Sequence, residues 1–203
     1  MSQGAISFKG RLATRLIRAR RPPLWWRIRN YLRWCFIKSL FGVFVVARIA
    51  KKFGLFVAYG KLSIVHIKAN GERINYGAVS YRLVTTAFVT LMVDQLQAET
   101  SVWGDFKYHD SGVGTTPAAT GDTDIETTDG EPRASGSQTE SSATVYRSVG
   151  TISYTTTKAI TEHGLFNASS GVTLMDRHVF TAINVVNGDS IQFTYDLTCT
   201  AGG

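Results

Sequence analysis

The sequence predicts a mainly β protein: an antiparallel β-sandwich or jelly-roll-like body, preceded by a helix and by an extended, basic, partly helical N-terminal arm. Three observations predict it. Residues 190–200 alternate strictly, with Ile191, Phe193, Tyr195, Leu197 and Cys199 on one face and Gln192, Thr194, Asp196 and Thr198 on the other. One packed face and one wet face is the signature of an antiparallel sheet. Asn187-Gly188-Asp189, just before that run, is a strong hairpin turn. The charge divides the chain: Met1 to Asn75 holds sixteen Lys and Arg against the single acid Glu72, or +15, and Tyr76 to Gly203 carries −8. The net +7 therefore hides an arm over 1–75 and a body over 76–203.

In chain order, residues 8–21 suit a short basic helix with Leu12, Leu16 and Ile17 on one side, stopped by Pro22 and Pro23. Residues 24–53 read as a helix that is apolar almost all round, the kind normally buried against something. The arm offers little to bury it, which points to a partner subunit or to packing across copies of the chain itself. Residues 54–68 are β-rich and read as a strand pair around Gly60-Lys61, with a further turn at Asn70-Gly71. Residues 79–97 read as a core-facing helix, because Val84, Ala87, Phe88, Leu91, Met92 and Leu96 recur at helical spacing.

Beyond Ser101 strands are expected. Phe106 and Tyr108 alternate with Lys107 and His109. Residues 110–144 are rich in Gly, Ser, Thr, Asp and Pro and read as a long exposed loop. Strands follow at 145–155, 158–166, 172–186 and 190–200.

No transmembrane span is expected. The apolar run Ser39–Ala47 is flanked by Arg33, Lys38 and Arg48, and each would cost about 2.5–3.5 kcal/mol at mid-membrane. Cys35 and Cys199 are too few and too far apart for a disulfide framework or a zinc site, and read as buried thiols.

Catalytic patterns fail on chemistry. Glu162 and His163 are strand neighbours, so they point to opposite faces and do not converge on a substrate. Arg177, in the cluster Asp176-Arg177-His178, is expected to pair with Glu162 across strands, and Glu162, His163, Asp176 and Arg177 are read as structural polar contacts. Asp122, Asp124 and Glu126 lack the remaining positions of a calcium loop. Gly112-Val-Gly114 has no following Lys-Ser or Lys-Thr and is no phosphate cradle. No enzyme activity, metal or cofactor is expected.

The arm carries the interface expectation: Trp25, Trp26, Arg27, Arg29, Tyr31, Arg33, Trp34, Phe36, Phe41 and Phe44. Trp and Arg are enriched at protein interfaces. They also suit nucleic acid, by phosphate neutralisation and stacking, or an anionic membrane surface. The expected order of partners is protein, then nucleic acid, then membrane.

Several blocks occur in an informative order: FKYHDSGVGTT at 106–116, GDTDIETT at 121–128, RASGSQTE at 133–140, VYRSVGTISY at 145–154, AITEHGLFNASSG at 159–171, LMDRHVF at 174–180 and INVVNGDSIQFTYDLTCTAGG at 183–203, preceded by VTTAFVTLMVDQLQ. Together they resemble a family of tailed-bacteriophage virion proteins over roughly residues 84–203. The resemblance implies a non-enzymatic, homo-oligomeric virion component, assembled in the host cytoplasm. A capsid cement or decoration protein, partnered by the major capsid protein, is the first expectation; a tail, baseplate or fibre-associated protein is the second. The arm lies outside the resemblance. An arm of this kind is expected to be removable from a body that stays folded, and the 110–144 loop is the expected place for any receptor contact.

Overall fold

The computed structural model describes residues 19–32, 34–96, 105–171 and 173–200, with side chains omitted at 34–40 and 51. Two antiparallel sheets pack face to face. The elements are α1 (Leu24–Leu32), α2 (Trp34–Lys52), β1 (Val57–Ile67), β2 (Arg73–Leu83), α3 (Thr86–Leu96), β3 (Tyr108–Gly112), β4 (Ala134–Ser135), β5 (Ser137–Ser142), β6 (Val145–Ser153), β7 (Lys158–Phe166), β8 (Leu174–Val185) and β9 (Ser190–Thr200). One sheet has the order β2-β1-β9-β6-β5, and the other β4-β3-β7-β8. The mainly β sandwich read from the sequence is the observed architecture.

The core follows from the strand period. Leu62 and Ile64 of β1, Ile152 of β6, and Ile191 and Phe193 of β9 meet Ile160 of β7 and Phe180 and Ile183 of β8, all essentially without exposure. A second cluster joins Val84 and Phe88 to Phe106, Leu165, Met175, Tyr195 and Leu197. Phe88 packs edge-on against Phe106, with ring centroids 5.2 Å apart.

Strand β1 corrects the expected strand pair around Gly60-Lys61. It runs unbroken and pairs with β9 from Val57↔Thr200 to Ile67↔Ser190. Gly60 marks a close approach rather than a turn: a Cβ there would clash with Asp176 Oδ2 and sit 2.5 Å from Tyr195 Oη. Gly60→Ala is therefore expected to destabilise by roughly 1–3 kcal/mol, as overpacking does, measured by urea unfolding. A change under about 0.5 kcal/mol would mean that Asp176 and Tyr195 shift freely.

Both expected Asn-Gly turns form, with Gly71 and Gly188 at φ of 83° and 87°, a region glycine reaches without strain. Asp189 ties the two together. Its carboxylate accepts the Ala69 N–H at 2.8 Å and contacts His66 Nε2 at 2.8 Å.

The expected boundary between residues 75 and 76 falls inside β2, and β1 lies between β2 and β9. Residues 57–75 are thus strands of the larger sheet, because β1 alternates buried and half-buried side chains against β9. The helix expected over 79–97 is shorter, and 79–83 complete β2. There Val79 and Ser80 are buried in the sheet, so pairing with β1 overrides the helical pattern. Thr85 starts α3: its hydroxyl donates to Leu174 O at 2.6 Å and caps the helix by accepting the Phe88 N–H at 3.2 Å.

The expected 110–144 loop is also corrected. Residues 110–112 belong to β3, which pairs with β7, and 137–142 form the edge strand β5. Between them the chain folds back onto β7 and β8. The expected basic helix over 8–21 falls mostly outside the described residues. Arg20 itself is extended, bridging Ile74 in parallel through Arg20 N to Arg73 O and Asn75 N to Arg20 O, both 2.8 Å.

Candidate functional site

Helix α1 starts directly after Pro22-Pro23, with the Pro23 carbonyl accepting the Trp26 and Arg27 N–H groups at 3.0 and 3.3 Å. It is fastened to the body at two positions one turn apart. Trp26 is 4 % exposed and sits in the sandwich core, donating Nε1–H to Ala182 O at 3.4 Å. Its ring lies 4.3 Å from that of Tyr76, whose phenol burial pushes up to about 12. Asn30, also buried, accepts the Thr181 N–H at 3.4 Å. This revises two expectations. Trp26 is a core side chain rather than an outward anchor, and the arm is not simply removable, since deleting it would open the core where Trp26 sits.

The rest of the helical surface points out. Leu24, Trp25, Tyr31, Leu32, Phe41, Phe44, Ile49, Phe53, Leu55 and Phe56 are each more than half exposed, and Ile28 and Val45 nearly so. Val43 and Ala50 turn inward from α2. Arg27, Arg29, Arg48 and Lys52 are exposed among the apolar side chains. On α3, Phe88 faces the core while Val89, Val93 and Leu96 face out. Val46, Phe56, Leu83, Val89 and Met92 line an open groove of about 490 Å³ between α2 and α3. Of the expected interface residues, Trp25, Arg27, Arg29, Tyr31, Phe41 and Phe44 thus lie at the surface. Arg33 and the side chains of Trp34 and Phe36 fall outside the described residues.

The polar clusters of the body are internal. Arg177, 4 % exposed, donates Nε–H to Glu162 Oε2 at 2.7 Å, Nη1–H to Asp122 at 3.1 Å and Nη2–H to Glu126 at 3.2 Å. Glu162 also accepts the N–H groups of Gly114, Thr127 and Glu126 at 2.8–3.0 Å. The acidic loop thus closes on an arginine. His163, next in β7, points the other way, into a stack the sequence did not reveal. Its Nε2 meets His109 Nδ1 at 2.9 Å, and His109 Nε2 meets Ser148 Oγ at 2.8 Å. His178 stands beyond His163, its Nε2 3.1 Å from Asp176 Oδ2 but not aligned for a hydrogen bond. Tyr195 donates to the same Asp176 oxygen at 3.3 Å.

A serine, two histidines and short hydrogen bonds look like a relay for nucleophilic attack. Here Ser148, His109 and His163 are wholly buried between the sheets, where no substrate reaches them. Burial lowers His109 to about 3 and holds His163 far below the ordinary histidine value, so both are neutral. A neutral pair in the core orders the packing. His109 fills the space that Gly136 and Gly150 leave open. The warning in the sequence was Gly150, a glycine inside a stretch read as a strand. Among the described residues no group of His, Cys, Asp and Glu could hold a metal ion, and no helix is long and apolar enough to cross a membrane. Cys199 is a free, half-buried thiol pushed up by burial.

The exposed helical face is therefore the candidate site, as an interaction surface. No protein-family model, curated protein or solved structure matches this chain.

Proposed function

We propose that this chain is a non-enzymatic structural component of a tailed-phage virion: a capsid cement or decoration protein whose sandwich is held to its neighbours, the major capsid protein and copies of itself, through the helical face. One observation carries the reading as an assembly subunit. Ten large apolar side chains between Leu24 and Phe56 are more than half exposed. At roughly 150–250 Å² for each aromatic, the patch is on the order of 1,000 Å², beyond the few hundred that monomers expose and enough for one side of a specific interface. The ordered sequence blocks over 106–203 support the phage assignment, and the burial of the body's polar clusters around Arg177 and His109 supports a structural role.

The α2–α3 groove is the test surface, because its floor and rim carry no charge. The substitutions Val46→Asp and Val89→Asp fall on exposed positions and are expected to change stability by only about 0.5 kcal/mol while blocking incorporation into particles. Particle composition and urea unfolding, measured together, check this. Normal incorporation of the double variant would remove the groove as a contact. Cryo-microscopy that places hundreds of copies on the head supports cement or decoration; copies confined to the tail would replace it with a tail-associated role.

A further inference from the structure

We infer that the outer edge of β5 pairs antiparallel with β5 of a second copy, making one continuous sheet through two subunits. Strand β5 ends the larger sheet, pairs with β6 on one side, and is exposed at all six residues. Among the described residues nothing pairs with its other side. Every second residue of such a strand turns its N–H and C=O groups away from the sheet, a ready template for another strand. The other edges are closed. Arg20 bridges β2 at Ile74 and α2 packs along it, β8 lies against β2, α1 and α3, and β4 is two residues long. Strand β5 carries no Lys, Arg or Pro, residues that commonly guard an edge. Its one charge is Glu140, and the irregularity that ends its ladder lies beyond, between Glu140 and Ser142.

The sequence of the edge selects the occupant. Residues 137–141 read Ser-Gln-Thr-Glu-Ser, nearly the same in both directions about Thr139. In a twofold antiparallel pair centred there, Thr139 faces Thr139 of the partner subunit, and Gln138 faces Glu140 of the partner subunit. Cross-strand Thr–Thr pairs stabilise. Gln138 uses one amide N–H on Tyr146 Oη at 2.9 Å and keeps the other for that carboxylate. Moving the axis to Glu140 would set two carboxylates opposite each other, which destabilises. The basic arm is the competing occupant of an edge that carries Glu140. Its extended part at Arg20 is already engaged at β2, the opposite end of the same sheet. Two strands of this length bury less than the roughly 1,000 Å² of a lasting complex, so the contact is weak alone and strengthened by a second one. The helical face lies over β2, at the far edge from β5, so a copy using both joins neighbours on two sides. The pairing goes beyond the proposed function, which rests on the helical face, and is measured without particles.

The experiment is oxidative cross-linking of the purified full chain carrying Thr139→Cys, with the bond located by mass mapping. Opposed residues stand about 4.5–5.5 Å apart between Cα atoms, inside the roughly 7 Å limit of a disulfide. Position 139 should join position 139 about tenfold faster than Ser137→Cys joins its own counterpart, which lies on the same face but roughly 14 Å away along the strand. Adding Gln138→Glu should slow the Thr139→Cys reaction about fivefold, and Gln138→Lys should speed it by a similar factor, since two cross-strand charge pairs change at once. Equal rates for Thr139→Cys and Ser137→Cys, or no cross-link at high protein concentration, would overturn the inference. So would a bond from position 139 to Cys35, which would give the edge to the arm of a second copy. Val46→Asp with Val89→Asp should leave the cross-link intact, and its loss there would make it a by-product of contact through the helical face. A missing cross-link beside particles that still reject the groove variant would remove this contact and leave the proposed function standing. All these positions are exposed, so unchanged urea unfolding separates lost pairing from lost folding.

Discussion

Replacing Arg177 by methionine is expected to lower the unfolding free energy by about 3–5 kcal/mol, the usual cost of stripping the partner from a buried carboxylate. Glu162 has no exposure and would remain in the sandwich with only three backbone N–H groups. The same guanidinium holds Asp122, Glu126 and the Thr116 carbonyl, so it also fastens the segment between β3 and β4. Two readouts check this. Urea unfolding should show the loss, and limited proteolysis should cut within residues 113–129 of the variant and spare the parent. Adding Glu162→Gln should return part of the stability, because the uncompensated charge is gone. Coupling of the two substitutions by 0.5–3 kcal/mol is the expected range for residues in contact. An Arg177→Met loss below about 1 kcal/mol would mean that water replaces the guanidinium.

Acid should destabilise the sandwich from near pH 6.5 downward, two units earlier than its carboxylates alone would cause. His109 stays neutral in the fold, with its pKa lowered by burial to about 3, against 6.5 for an open chain. Between those values the unfolded chain binds a proton that the folded chain refuses. The stabilisation is therefore complete above pH 6.5 and is lost as pH falls towards 3. At 1.36 kcal/mol per pH unit, His109 alone removes roughly 2–3 kcal/mol by pH 4.5. His163, lowered in the same direction by burial and then by His109 and His178, adds to it. Glu131 is lowered from 4.5 to about 2, chiefly by Lys158, and loses its contribution only below 4.5. Asp110 and Asp129 are raised by burial and act in the opposite sense. Urea midpoints from pH 7.5 to 4.5 test the window, and His109→Gln should flatten the slope between 6.5 and 4.5. A flat profile to pH 5 would mean that the histidines are protonated in the fold.

Legibility divided along physical lines. Strands β6, β7, β8 and β9 could be read almost to the residue, because each alternates or runs apolar between short polar turns whose geometry is local. The apolar surface of α1 and α2 was also visible, since the run 24–53 carries apolar side chains almost all round. Gly60 was misread as a turn because its reason lies 116 and 135 residues away, at Asp176 and Tyr195. Residues 79–83 looked helical by period and became strand because β1 offered them a ladder. Asp196 was placed on a wet face, yet is 4 % exposed under Arg147 and Lys61.

By itself, the sequence determined the sandwich, its C-terminal hairpins, the opposed charges of the two halves and the apolar surface of the N-terminal helices. These rest on periodicity, turn chemistry and composition, which act over a few residues or sum over many. Only the tertiary structure decided that β1 belongs beside β9, that Trp26 is core while Trp25 is surface, that the acidic loop closes on Arg177, and that His109, Ser148 and His163 meet out of reach of any substrate. Each depends on residues far apart in the chain being brought within hydrogen-bonding or van der Waals distance, and no local pattern carries that information.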